Sequence, residues 1–302
     1  MKKSRVGLAI LFLICLTAAF VVAVLMVSPL VGSGSETSGL NGMFDFGNKI
    51  GVVPLEGTLI SSDKTLKQLR KFSKKSAVKA IVLRINSPGG AVAPAQEIFR
   101  EIEKIGKKKP IVASIETVGA SAAYYIASAA DEIVCSNGTI TGSIGVIMLL
   151  TDLQELIRHV GVSVSVIKAG KYKDIGSSVR PLTDEERKIL ETFAEEIHDQ
   201  FIRDVLAGRK GKIDEAKLRS VADGRFFTGA KAKEMGLVDT IGNFYDAVKI
   251  AGKRAGIGDD AELVYPKKSW DNYLDMFVES TTNAVAKTVN QSRLILRAPA
   301  VQ

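Results

Sequence analysis

The sequence predicts an α/β protein: a mostly parallel sheet layered with packed helices, behind one N-terminal transmembrane helix. Three observations predict it. Short runs rich in Val and Ile alternate with longer amphipathic patterns, which is how buried parallel strands and their crossover helices read. Glycine-bearing loops stand directly after several of those runs, where strands hand over to helices. Residues 6–27 form an unbroken apolar stretch in which Thr17 is the only hydroxylated side chain.

That stretch, as a helix, is about 33 Å long at ~1.5 Å per residue, enough to cross a bilayer. Lys2, Lys3 and Arg5 precede it and no basic residue follows before Lys49. The positive-inside rule therefore puts residues 1–5 in the cytoplasm and everything after the helix outside. A cleaved secretory signal is the alternative. The run is long for a signal core, however, and its exit at Val27-Ser28-Pro29 has no small-x-small cleavage site. A lipoprotein is excluded because Ile14, not a small residue, precedes Cys15.

Residues 28–48 follow as a flexible linker, Gly- and Ser-rich from Gly32 to Gly42. The main domain then runs over 49–262, within a chain of 302 residues that is ample for a core. Ile50–Leu55, Val78–Ile85, Pro110–Glu116, Ile133 with its neighbours over 132–136, and Val162–Ile167 read as strands. Leu66–Lys75, Ala95–Lys107 and Thr151–His159 read as helices. The longest soluble helix spans Thr183–Leu206. Thr183 is its N-cap, Glu186 completes a capping box, and Ile189, Leu190, Phe193, Ile197, Phe201 and Val205 form its apolar stripe. Residues 263–302 carry a further helix, Trp270–Val289, and a loose tail, Leu294–Gln302.

Composition excludes several classes. The 41 basic and 33 acidic residues are interspersed, with no aromatic-interleaved basic stripe, so nucleic acid is not a partner. Two cysteines on opposite sides of the membrane boundary build no disulfide framework. No Walker-type glycine loop is present, and no metal or other cofactor is called for.

The chemistry concentrates in loops. Ser121 lies in Gly119-Ala-Ser-Ala-Ala-Tyr-Tyr125, directly after a strand pattern and among small residues that leave its hydroxyl uncrowded. It is a candidate nucleophile; the alternative is a serine used only to cap a helix. A serine needs a base. The two histidines, His159 and His198, both fall in helical patterns and read as structural. The candidate bases are instead Lys168, Lys171 and Lys173, which spacing alone does not rank. A lysine base must be neutral, so it requires a dry, mostly apolar setting. The Pro88-Gly89-Gly90 turn suits an oxyanion site, because glycines leave backbone N–H groups unobstructed. Thr139-Ile-Thr-Gly-Ser143-Ile-Gly-Val supplies hydroxyls that suit holding an amine.

Taken together, N-S-P-G-G, G-A-S-A-A-Y-Y-I-A, T-G-S-I-G-V, K-Y-K-D-I-G-S and A-D-G-R-F-F-T-G…G-L-V-D-T-I-G resemble the bacterial signal peptide peptidase A family in its short, membrane-anchored form. The likeness covers about Ile50 to Gly242. It implies a Ser/Lys-dyad serine protease on a Clp protease/crotonase-like fold. On the family pattern Ser121 is the nucleophile, Lys173 the general base, Ser143 the residue that orients the lysine, and Gly90 an oxyanion donor. The N–H of Ala122, next after the nucleophile, is the second donor by position. One departure is visible: the family commonly has proline after the serine of D-I-G-S, and this chain has Ser178.

The resemblance implies a serine endopeptidase that degrades cleaved signal peptides and unfolded peptides at the cytoplasmic membrane. It would be single-pass, with its catalytic domain on the extracytoplasmic side, and homo-oligomeric, neighbouring subunits often completing each site. A crotonase-type acyl-CoA enzyme and a non-catalytic membrane scaffold are the alternatives on the same fold. Segments 91–93 and 144–150 offer no fixed charge, so the substrate pocket is expected to prefer apolar or small side chains. The apolar tail from Leu294, with Pro299 resisting helix, suits an occupant of that groove as well as a plain disordered terminus.

Overall fold

The computed structural model describes residues 47–258 and 261–266. The apolar run at 6–27, most of the linker, Cys15, the 270–289 helix and the tail lie outside the described residues. Among the described residues no helix is long and apolar enough to cross a membrane.

The sheet begins with β1 (Lys49–Glu56), followed by α1 (Asp63–Lys74), β2 (Val78–Ser87), α2 (Val92–Gly106) and β3 (Ile111–Ala120). Then come α3 (Ala122–Ser128), β4 (Glu132–Cys135), β5 (Ile140–Gly142), α4 (Gln154–His159) and α5 (Asp184–Gly208). The remainder is α6 (Glu215–Val221), β6 (Phe226–Thr228), α7 (Gly229–Met235), β7 (Thr240–Ile241), α8 (Phe244–Ala255) and β8 (Glu262–Val264). The strand order is β6-β5-β3-β2-β1-β8, with β4 pairing β3 and β7. Every pairing is parallel except β5 with β6.

The expected mostly parallel sheet is therefore present, and its strands are buried on both faces. On β2, Ile81, Leu83 and Ile85 enter the large core shared with α1, α2, α3 and α5, whereas Ala80 and Val82 point into a second cluster under α8 with Ala247, Val248 and Ala251. Such strands are read from Val/Ile density rather than alternation.

β3 forks. Val112–Ile115 pair with β4, and Val118–Ala120 pair with β5. The strand thus leaves its first partner and ends beside a second, directly before Ser121. Thr139 and Thr141 hold the fork: their hydroxyls donate to the carbonyls of Glu116 (2.7 Å) and Gly119 (2.7 Å).

Two expectations are corrected. Val162–Ile167 forms no strand. Its valines are exposed and Ile167 is fully so, because no strand edge among the described residues runs beside it and β propensity alone does not hold an unpaired strand. The long helix has its predicted capping box at Thr183 and Glu186, but only the C-terminal part of its stripe, Phe201 and Val205, is buried. Ile189 and Phe193 are exposed, because the N-terminal half of α5 extends past the core.

Candidate active site

Ser121 stands at the joint between β3 and α3 in a conformation that few non-glycine residues adopt, φ 53° and ψ −125°. Backbone bonds fix it there: its N–H donates to Gly142 (2.9 Å) and its carbonyl accepts from Tyr125 (2.9 Å). Although it occupies the N-cap position of α3, its side chain makes no capping bond. The capping alternative thus fails, and the hydroxyl is left for other work. The only other non-glycine residue with positive φ among the described residues is Ser143, at 50°. Strained residues of this kind persist where the surrounding structure over-determines them, and they cluster at functional sites.

Both serines line one cleft of about 590 Å³, with Gly90 and Pro88 at one side and Gly145, Val146 and Ile147 at another. The Pro-Gly-Gly turn that closes it is held against Leu59. The Leu59 N–H donates to the Gly89 carbonyl (2.8 Å) and the Ala91 N–H to the Leu59 carbonyl (2.8 Å). Neither bond uses the Gly90 N–H. Gly90 has φ 153°, and a Cβ on it would stand 2.1 Å from the Leu59 carbonyl oxygen, so only glycine fits. Ala122 is the first residue of α3, where the helix itself leaves the N–H without a partner.

Behind Ser121, α3 is wholly buried. Tyr124 donates to the Leu237 carbonyl (2.9 Å), and Tyr125 donates to Asp204 of α5, which also accepts from Arg100 of α2 (2.6 Å). Buried charge is thereby paired, and the helix carrying Ser121 is tied to its neighbours. Buried Cys135 is a free thiol, pushed up to about 11 by burial, and takes no part in the cleft.

The structure brings Ser121, Ser143 and Gly90 together, with Ala122 next to Ser121. It does not bring Lys173 to them. Lys173 is exposed in a series of turns over 170–177, where its N–H donates to Gly170 (3.2 Å), and it is not among the residues lining the cleft. In a single copy the dry setting expected for a lysine base is absent. The hydroxyls of Thr139 and Thr141, read as possible amine holders, are committed to backbone carbonyls, which leaves Ser143.

The cleft walls also differ from expectation. Val92, Val146 and Ile147 supply the apolar part, but Glu195 and His198 of α5 and Asp223 line the same cleft. His198, read as structural, is half-buried in that wall, and its Nε2 has no protein partner. Its place beside the helix stripe gave no signal of this, because the cleft is assembled from segments distant in sequence.

The model of peptidase family S49 matches residues 103–258, and that of the Clp protease family residues 56–137. A Synechocystis sp. protein named a protease is 41% identical over 214 residues, 70% of this chain and 76% of that one. The chloroplastic serine protease SPPA of Arabidopsis thaliana is 35% identical over 208 residues, 68% of this chain and 30% of that one. A protein of Enterococcus faecium named signal peptide peptidase SppA is 36% identical over 201 residues, 66% of this chain and 58% of that one.

Proposed function

The chain belongs to peptidase family S49, the signal peptide peptidase A family, and is a serine peptidase; from that premise we propose a membrane-anchored endopeptidase that degrades cleaved signal peptides through a Ser121/Lys173 dyad. The observation that carries this reading is the strained Ser121, uncapped and facing a cleft beside the Gly90 turn. Ser121 Oγ attacks a substrate carbonyl as Lys173 takes its proton. The N–H groups of Gly90 and Ala122 receive the charge that develops on the carbonyl oxygen. Lys173 returns the proton to the leaving amine, and water, activated the same way, cleaves the acyl-enzyme. Ser143 orients the lysine amine.

Because Lys173 is exposed and away from the cleft of its own copy, the amine that serves Ser121 comes from a neighbouring subunit of a homo-oligomer. The segment around it suits that role. From Ile147 (82% exposed) to Ile167 (100%) it presents apolar side chains to solvent, an arrangement that calls for a protein partner. Burial in the interface would supply the dry setting a lysine base needs. The run at 6–27 anchors the enzyme in the cytoplasmic membrane, with the peptidase domain outside, where spent signal peptides remain in the bilayer.

Two measurements test this. A serine-reactive phosphonofluoridate should label Ser121 of the full chain in lipid vesicles, and a synthetic signal peptide should be degraded while a folded protein is spared. Mixing and reassembling Ser121→Ala with Lys173→Ala, each inactive alone, should restore partial activity. Labelling that persists in Ser121→Ala sinks the nucleophile assignment, and a mixture as inactive as its parts sinks the shared site.

A further inference from the structure

We propose that Arg180 is a positioning residue for the catalytic lysine: it fixes the Lys173 turn to the start of α5 and keeps the carboxylate of Asp174 from acting on the lysine amine. This rests on the reading of Lys173 as the base.

The network is built around Asp174, the residue after Lys173. Arg180 Nε donates to its carboxylate (2.8 Å), and Arg180 Nη2 donates to its backbone carbonyl (3.2 Å). The other side of the same guanidinium donates twice to Glu186, at 2.8 and 2.5 Å. Glu186 is buried in the first turn of α5, where it accepts from the Thr183 N–H (3.1 Å) in the capping box. A planar guanidinium with fixed donors can join two carboxylates and a carbonyl in this way; a lysine cannot. One side chain thus ties the base-bearing turn to α5, whose middle, Glu195 and His198, walls the Ser121 cleft of the same copy.

The charges make the second point. A carboxylate on the residue next to a lysine favours the protonated amine, the form that cannot act as a base. Here the negative charge of Asp174 is offset by its pairing with Arg180 and with Lys168, the same contacts that hold it well below the usual carboxylate range. The other charges of this region are accounted for. Lys171 pairs with Glu185 (2.5 Å), to which Tyr172 also donates, and Glu186 is taken by Arg180. Losing Arg180 would leave Asp174 with Lys168 alone and take from Glu186 its guanidinium partner, beside Lys173.

The test is the pH dependence of kcat on a signal peptide, using the full chain in vesicles. In Arg180→Gln the ascending limb should move upward by about one pH unit, in keeping with the effect of a nearby opposite charge, with little change in KM. Near pH 7 that is roughly a tenfold loss of kcat. Adding Asp174→Asn should return the limb to near its original place, a rescue that a merely structural role would not give. Asp174→Asn alone should move the limb downward, and this variant decides the matter if Arg180→Gln fails to assemble. A limb unmoved in Arg180→Gln, or moved and not returned by Asp174→Asn, overturns the proposal. Lys173→Ala separates the two levels. If it keeps an active ascending limb, the lysine base itself is wrong; if it is inactive while the Arg180→Gln limb stays in place, only the role of Arg180 is.

Discussion

Gly89 packs so closely against Ser121 that a Cβ placed on it would stand 2.8 Å from the serine's own Cβ. The same atom would lie 2.8 Å from the Ala120 carbonyl oxygen and 2.9 Å from the Ala122 nitrogen. Three backbone or near-backbone atoms of the Ser121 turn therefore rest on one glycine, itself at φ 108°. Gly89→Ala should leave a folded protein with Ser121 displaced, and kcat should fall about 10²-fold, the scale of an ångström of misplacement. Steady-state kinetics beside a thermal melt would check it; near-normal kcat with a normal melt refutes the close-packing argument.

Ser143→Ala should weaken the enzyme without silencing it. Ser143 lines the cleft at φ 50°, with its N–H bound to the Arg225 carbonyl (2.9 Å), so its backbone holds without the side chain. Loss of one orienting hydrogen bond should cost on the order of 1–3 kcal/mol in kcat. A variant with wild-type kcat leaves Ser143 as a turn residue only.

Much of this was legible in the sequence, and the rest fails for physical reasons. β1 and β2 are read easily because strands buried on both faces need Val and Ile at nearly every position. β6, β7 and β8, at two or three residues each, are too short to show a period. Val162–Ile167 reads as a strand, but no strand among the described residues pairs with it. Ser121 is found from its small neighbours and its place after a strand, whereas its positive φ is a property of the fork in β3 and of Gly142. The sequence pointed to Gly90 for its N–H; the tighter constraint, Gly89 against Ser121, shows only in three dimensions. The acidic and imidazole part of the cleft comes from α5 and Asp223, some seventy to a hundred residues beyond Ser121, and no local pattern reports such a meeting.

Ser121→Ala and Lys173→Ala should each abolish peptide hydrolysis and leave the melt unchanged. Activity of the wild type should rise with pH, because only a neutral amine accepts the serine proton. Since His198 lines the cleft, it is the rival base, and His159→Ala/His198→Ala decides between them. The ascending limb should survive in that double variant. Its disappearance would mean that an imidazole, not Lys173, takes the proton.

Arg209 should matter for stability and not for chemistry. It is fully buried, bonds both carboxylate oxygens of Asp239 (2.6 and 2.9 Å), and donates to the Gly236 carbonyl (2.9 Å), locking the end of α5 to the strand region around β7. Arg209→Ala leaves the largely buried Asp239 carboxylate with only Lys212 (2.8 Å) and the Ile133 N–H (2.8 Å) as partners and should cost about 3 kcal/mol, the low end for a broken buried pair. Denaturant titration of the protein would show it. A loss below about 1 kcal/mol would mean that water replaces the guanidinium at no great cost.

Acid should loosen the Lys173 turn before it unfolds the core. Glu186 is held at about 2, against an ordinary 4.5, chiefly by its hydrogen bonds from Arg180 and then by the Thr183 N–H. A carboxyl whose folded value is depressed stabilises above its unfolded value, and that contribution drains away as pH falls toward the folded one. The window is therefore from about 4.5 down to about 2. Asp174 is depressed in the same direction, first by the same guanidinium and then by Lys168. Across this window amide exchange in 170–186 should accelerate while exchange in β2 and β3 stays slow. Glu186→Gln should remove part of that pH dependence and already show faster exchange at neutral pH. Uniform loss of protection over the whole sheet, with the variant following the wild type throughout, would place the acid-sensitive contacts elsewhere than at Arg180.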